Sequence, residues 1–353
     1  MFDKKLTFYP TYGYRPDEQG DWLIPVRAWV RNERPLPPDA LIRLCFDEDG
    51  DLGERAMLRF KECLRDFWAA DNEGEEVSVK FDHDPEGKTY RLDGETNGNG
   101  LLEGELRLDD AEAERLVRAQ HGAGASTPGA LTLTAHTRGL SGSASARGVV
   151  RLLEPRGLSV VSDIDDTVKV TEIPAGPKTF LRRTFLMDFE ATQGMRDRYL
   201  NVLKRNPDFD NVSFHYVSGS PWQLFRLLHE FLVEREGFPR GSFHMKSVNL
   251  DLEDLRGSFG SIRNLLSGGE HTEGMKVETI SELLRRMPGR KFILVGDTGE
   301  RDPEVFRRVK RDFGEQVVRV YIRDVNDLGE QAERIKDMFR IDPQGVCLQE
   351  QGA

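Results

Sequence analysis

A chain of 353 residues is long enough for two or three domains, and 38% apolar against 31% charged residues is the balance of a folded, soluble protein. A formal net charge of -11 argues against long-range attraction to nucleic acid or to an anionic membrane. Three cysteines, Cys45, Cys63 and Cys347, without metal-type spacing argue against a disulfide framework and fit a reducing cytoplasm. The opening "MFDKKLTFYP" lacks the apolar run of a signal peptide, and no stretch approaches the roughly 20 apolar residues of a membrane helix.

Residues 1–154 carry strand and turn signals. Strands are expected at "DWLIPVRAWVRN", "ALIRLCFDED", "VSVKFDHD", "TYRLDG", "LLEGELRL", "GALTLTAHT" and "RGVVRLLE", several of which alternate apolar and polar residues as half-buried antiparallel strands do. Two helices interrupt them. "ERAMLRFKECLRDFWAA" sets Met57, Phe60, Leu64 and Phe67 at helical spacing, and "DDAEAERLVRAQ" opens on acids suited to a helix N-terminus. "ETNGNGLL" and "GAGASTPGA" read as loops. The expectation is a β-rich, sandwich-like N-terminal domain with helical insertions and no catalytic constellation; His83 and His136 stand alone.

Pro155 and Gly157 mark a short linker, and residues 155–353 then alternate strand and helix. Apolar strands are expected at "LSVVSDID", "NVSFHYVSG", "RGSFHMKSV", "RKFILVGD" and "QVVRVYIRD". Helices are expected at "PWQLFRLLHEFLVER", "GMKVETISELLRRM" and "DPEVFRRVKRDF". That pattern predicts an α/β fold, a Rossmann-like parallel sheet covered on both faces, in which ligands sit at the carboxyl ends of the strands. Polar residues follow the strands in the required places. Asp163, Asp165, Asp166 and Thr167 follow the first, and Ser218, Gly219 and Ser220 the second. Gly296, Asp297 and Asp302 follow "KFILV", and Lys276 lies on the helix before it. "RRVKR" at 307–311 reads as a solvated helix face.

Taken singly these motifs are bland: D-x-D-D is usually a turn, S-G-S-P a helix cap, a lone lysine surface. Their shared position after apolar strands of one alternating unit points to chemistry. Clustered carboxylates suit a hard divalent cation, with Asp163 and Asp297 the natural pair and Mg²⁺ the expected ion. In an extended chain Asp163 and Asp165 face the same space, so Asp163 can attack phosphorus while Asp165 exchanges the proton. Ser220 is placed to cap a helix begun by Pro221, a phosphate seat with the Ser218 hydroxyl and the Gly219 N–H as donors. Lys276 supplies a positive charge for the nucleophile and the transferring group.

At D-x-D-x-T (163–167), the serine closing the second strand, the lysine and the G-D loop at 296–302, the sequence resembles the haloacid dehalogenase superfamily. More narrowly, "SDIDDTVKVTEI", "YVSGSPWQLF", "FHMKSV" and "KFILVGDTGERDPEVF" resemble the actin-patch-associated phosphatidate phosphatase family over residues 150–325. The resemblance implies Mg²⁺-dependent hydrolysis of phosphatidate to diacylglycerol through an aspartyl phosphate. It implies Asp163 as nucleophile, Asp165 as acid/base and Ser218 on the phosphate, with Thr167, Gly219 and Ser220 around the substrate. Lys276 takes the lysine role, with Lys246 in "FHMKSV" as its rival; the alternative reading of His244 and Lys246 is as head-group contacts. Asp163, Asp165, Asp297 and Asp302 form the metal set, with Asp302 on the ion or next to it. The stretch between the first aspartates and the second strand suits only a small helical cap; its Phe180, Phe185, Leu186 and Phe189 are expected to pack on the core. Partners follow as a phospholipid or other phosphate ester met at a transient membrane contact, with no nucleic acid and no transmembrane segment. The competing expectations are a phosphatase of soluble metabolites or phosphoproteins, and a non-catalytic phosphate- or partner-binding module.

Overall fold

The computed structural model describes residues 3–17, 20–46, 53–124, 129–138, 142–205, 211–247, 269–328 and 333–347. The first half contains β1 (Lys4–Phe8), β2 (Thr11–Gly13), β3 (Trp22–Asn32), α1 (Asp39–Phe46), α2 (Glu54–Phe67) and β4 (Ala70–Asp71). These are followed by β5 (Glu76–Phe81), β6 (Tyr90–Arg91), β7 (Leu101–Leu108), α3 (Asp110–Gly122), β8 (Ala130–Arg138) and β9 (Ser145–Leu152). Its strands form a four-stranded antiparallel sheet centred on β3 and a five-stranded sheet of order β2-β9-β8-β5-β6. Ile24, Val26 and Ala28 from one sheet share a single apolar cluster with Val79, Leu131 and Leu133 from the other. Those residues alternate mostly with half-buried ones, as the period-2 pattern requires.

One expected strand is a helix. "ALIRLCFDED" contributes to α1, with Ile42 buried. Its apolar residues at 41, 42, 44 and 45 fit either period, but the Pro37-Pro38 pair followed by Asp39 in the first turn decides for a helix start. Part of the "GAGASTPGA" loop lies outside the described residues.

Pairing switches from mainly antiparallel to parallel between β9 and β10 (Gly157–Ser162). The second half continues with the short turn Ile173–Ala175, α4 (Pro177–Leu181), one wide turn at Arg182–Leu186, α5 (Met195–Arg205) and β11 (Val212–Pro221). Then come α6 (Phe225–His229), β12 (Ser242–Lys246), α7 (Gly269–Arg286), β13 (Arg290–Asp297), α8 (Asp302–Phe313), β14 (Val317–Arg323) and β15 (Phe339–Ile341). The six strands run parallel in the order β12-β11-β10-β13-β14-β15. One face packs on α7 and α8 through Leu284, Val305 and Phe306 against Leu294 and Ile322. The other packs Val160, Ile293 and Val295 in the cluster that holds Tyr199 of α5 and Phe214. Burial on both faces is why the central strands β10, β11 and β13 read as mainly apolar runs. Among the described residues no helix is long and apolar enough to cross a membrane.

The two halves are joined by buried contacts. Asp66 of α2 accepts from Arg31 at 2.8 Å and from Arg226 at 2.9 Å. Trp222 lies edge-on to Trp29, a packing role, and Phe185 lies against Phe60 and Phe67 of α2. Phe185 and Phe189 are buried, with Phe180 and Leu186 packed against the same cluster, so the segment after β10 is seated on the core as its phenylalanines suggested.

Arg290 fastens the junction. Wholly buried, it donates to Ser159 Oγ (2.9 Å), to the carbonyls of Glu154 and Leu158 (2.8 Å each) and to Asn211 Oδ1 (3.0 Å). Gly157 makes this approach possible: a Cβ there would lie 2.6 Å from the guanidinium. Arg290→Met orphans several buried acceptors at once. It should cost about 3 kcal/mol in a urea unfolding titration, and a loss below about 1 kcal/mol would refute the assigned role.

Candidate active site

The carboxyl ends of β10, β11 and β13 meet around a group of aspartates. The first comes directly off β10, where the Asp163 N–H donates to the Val295 carbonyl at 2.9 Å and extends the ladder by one residue. The chain then turns sharply. Asp166 sits at φ 57°, and its carboxylate accepts from the N–H groups of Thr171, Glu172 and Ile173 at 2.8, 2.7 and 2.7 Å. This third aspartate of the cluster holds the turn shut. Thr167 donates its hydroxyl to Asp297 Oδ2 at 3.1 Å and so orients that carboxylate.

Asp297 ends β13 and is held by its own loop, Gly299 N–H donating to Oδ1 at 2.6 Å. Gly296 is required here: a Cβ would stand 2.4 Å from Asp302 Oδ2, so only glycine lets Asp302 fold back from the first turn of α8. Asp163, Asp297 and Asp302 are all buried, each with an oxygen within 4.8 Å of those of the other two. Burial, and then the neighbouring carboxylates, raise the carboxyls of Asp163 and Asp297 well above the ordinary value, although Lys276 pulls both the other way.

Lys276 of α7 supplies one cation. The residue is 3% exposed, and its Nζ donates to Asp163 Oδ1 (2.8 Å), Glu300 Oε2 (2.8 Å) and Asp302 Oδ1 (2.6 Å). Burial works against its charge, but these carboxylates hold the ammonium well above its usual pKa. One cation among four acids leaves the cluster short of positive charge, and Asp163 Oδ2 is buried with no hydrogen-bond partner. A trio of buried carboxylates with an orphaned oxygen fits a metal ion bound through oxygen. Lys246, the rival lysine, ends β12 and lines a different groove with Arg27, His244 and Arg286; His244 bonds Ser242 at 2.8 Å.

Asp165 takes a different set of partners. Its Oδ1 accepts from Lys169 Nζ and from Thr171 Oγ1, both at 2.8 Å, and its Oδ2 accepts from Ser220 Oγ at 2.8 Å and Ser218 Oγ at 3.3 Å. Burial alone would raise this carboxyl, but the Lys169 charge and the bonds from Lys169, Thr171 and Ser220 hold it below the usual range. Asp165 lies outside the Asp163–Asp297–Asp302 trio. Ser220 is not the helix cap expected of it: β11 runs through Pro221, and the helical turn begins at Trp222 with Pro221 before it. The proline's extended ψ of 147° delays the turn, and the Ser220 hydroxyl is used on Asp165 instead. Gly219 allows α7 to approach, since a Cβ would fall 2.6 Å from the Thr272 methyl.

Sequence reasoning passed over Lys169, Thr171 and Glu300, although each lies inside a quoted motif. The available signal for Lys169 and Thr171 was alternation: in "KVT" residues 169 and 171 share one side of an extended segment.

Residues 158–324 match the family model described as phosphatidate phosphatase APP1, catalytic domain. Over 161 residues the chain is 32% identical to phosphatidate phosphatase APP1 of Saccharomyces cerevisiae, a match covering 46% of this chain and 25% of the yeast protein. It is 29% identical over 166 residues to an uncharacterized protein of Schizosaccharomyces pombe, covering 46% of this chain and 24% of that one. The chain thus spans about a quarter of the length of these curated relatives. Superposition on a β-glucuronidase of Parabacteroides merdae covers 90% of this chain and 35% of that one at 8% identity and a TM-score of 0.27, a level that carries no argument. The narrower of the two resemblances drawn from the motifs, to the phosphatidate phosphatase family, is borne out over residues 158–324.

Proposed function

We propose that residues 158–324, those of an APP1-type catalytic domain, work within a haloacid dehalogenase-type unit spanning 155–353, preceded by a separate β-rich domain over 1–154, and hydrolyse phosphatidate through an aspartyl phosphate. The observation that carries this reading is Asp163: a buried carboxylate at a strand end, one oxygen on Lys276 and the other without a partner. Asp163 attacks phosphorus, Asp165 gives the leaving oxygen its proton and later takes one from water, and Ser218, Ser220 and Gly219 receive the phosphate oxygens. Lys276 holds Asp163 in place and offsets charge on the transferring group. Asp163, Asp297 and Asp302 would hold Mg²⁺, which when bound neutralises the carboxylate cluster and the substrate phosphate.

The test is phosphate release from phosphatidate in mixed micelles against a panel of soluble esters, with and without chelator. Chelation is expected to abolish release and Mg²⁺ to restore it, with phosphatidate preferred by about tenfold or more in kcat/KM, a difference near 1.4 kcal/mol. A preference for soluble esters would move the protein to metabolite or phosphoprotein phosphatases; no Mg²⁺-stimulated release from any ester would leave a binding module.

A further inference from the structure

The two oxygens of Asp165 are held in different ways. Oδ2 rests on Ser218 and Ser220, the hydroxyls proposed to receive phosphate. Oδ1 rests on a pair from its own loop that has no part in the reaction as written. Lys169 is 1% exposed, and its Nζ donates to Asp165 Oδ1 at 2.8 Å and to Thr171 Oγ1 at 2.6 Å; the Thr171 hydroxyl donates to the same Oδ1 at 2.8 Å. The Lys169 ammonium also lies 5.1 Å from the ring centroid of Phe189, which closes that side with apolar surface. Its backbone is tied down as well: the Lys169 N–H donates to the Ile164 carbonyl at 3.0 Å, and its own carbonyl accepts from Asp166 N–H at 2.7 Å.

We propose that Lys169 is a positioning residue that anchors Asp165 through Oδ1, so that Oδ2 can be passed from the serines to the substrate. The proposal rests on the phosphatase reading. When phosphate takes the hydroxyls of Ser218 and Ser220, Asp165 loses both bonds to Oδ2; without a second anchor its carboxyl would swing. With Oδ1 fixed by Lys169 and Thr171, Oδ2 stays aimed at the leaving oxygen. In the first half-reaction Asp165 first takes onto Oδ2 the proton of the monoanionic phosphate ester as the serines turn to phosphate; the bond from Asp163 to phosphorus then forms as the bond from phosphorus to the leaving oxygen breaks, and that oxygen takes the proton from Asp165. In the second a water oxygen bonds phosphorus as the Asp163–phosphorus bond breaks, and Asp165 recovers a proton from that water.

Leaving-group dependence separates this role from a general structural one. An alkyl phosphate, with a poor leaving group, needs the proton; p-nitrophenyl phosphate hardly does. Lys169→Met is expected to lower kcat/KM, which reports the step that expels the leaving group, by about 10²-fold on the alkyl ester and by less than about fivefold on the p-nitrophenyl ester. The Kd for inorganic phosphate should stay within about threefold, since Lys169 acts on Asp165 and not on phosphate. Thr171→Val, which removes only the bridging hydroxyl, should show the same bias at about fivefold on the alkyl ester, and gives a second reading if Lys169→Met does not fold. Equal losses on both esters would overturn the proposal, as would a phosphate Kd raised by about tenfold, which would make Lys169 a phosphate ligand. Wild-type protein inert on both esters would remove the phosphatase reading and this proposal with it.

Discussion

Asp163→Asn is expected to lower kcat by about 10⁴-fold or more on every phosphate ester, because an amide oxygen cannot form the aspartyl phosphate. The fold should survive, since asparagine keeps the shape of a side chain that is already buried, and metal-free stability should rise. The sign follows from the surroundings of Asp163. Burial, and then Asp302, Glu300 and Asp297, lift its carboxyl well above the ordinary value of 3.8, so the folded state binds that proton more tightly than the unfolded chain. A group of that kind supports folding fully below about pH 4 and costs stability as pH rises from there toward the raised value. The melting temperature of metal-free Asp163→Asn should therefore exceed that of wild type by a margin that widens as pH increases from 4. Mg²⁺ should narrow the margin, because the ion compensates wild type for the charge the variant has lost. Normal turnover in the variant would refute the nucleophile assignment, and a margin that shrinks with pH would refute the account of the cluster's electrostatics.

The parallel sheet was legible because its central strands β10, β11 and β13 are buried on both faces and therefore written mainly in apolar residues, as in "LSVV" and "KFILV", each closed by polar ones. The end of a parallel strand is a fixed point, so Asp163, Ser218 and Asp297 could be placed together without knowing any side-chain angle. Residues whose purpose depends on rotamers were not legible. Ser220 reads as a cap before Pro221, yet the chain stays extended through the proline and the hydroxyl turns to Asp165. Asp166 looks like one more acid of the cluster until its carboxylate is seen collecting three backbone N–H groups. Glu300 contributes through one long flexible side chain, which no local spacing rule can direct. In the first half, "ALIRLCFDED" failed for another reason: a short apolar run fits both periods, and only the preceding prolines with Asp39 distinguish them.

The choice between two lysines turns on the same point, and it gives the second large effect. Lys276→Met is expected to reduce kcat by about 10²- to 10³-fold, whereas Lys246→Ala should stay within about threefold. Lys276 is the cation that three acids share, at 2.8 Å from Asp163, 2.8 Å from Glu300 and 2.6 Å from Asp302. Its removal leaves those carboxylates facing one another in a buried space, and the least costly response is to take up protons. A protonated Asp163 is no nucleophile, so the loss should fall on kcat more than on KM. Lys276→Arg should not restore activity, because a planar guanidinium cannot meet three acids converging on one buried point. Lys246 ends an outer strand of the sheet beside Arg27 and Arg286, in a groove of its own, and Asp163 is not among that groove's lining residues. Two lysine variants with the same loss in kcat would mean that the contact between Lys276 and Asp163 does not set the reactivity of the carboxylate.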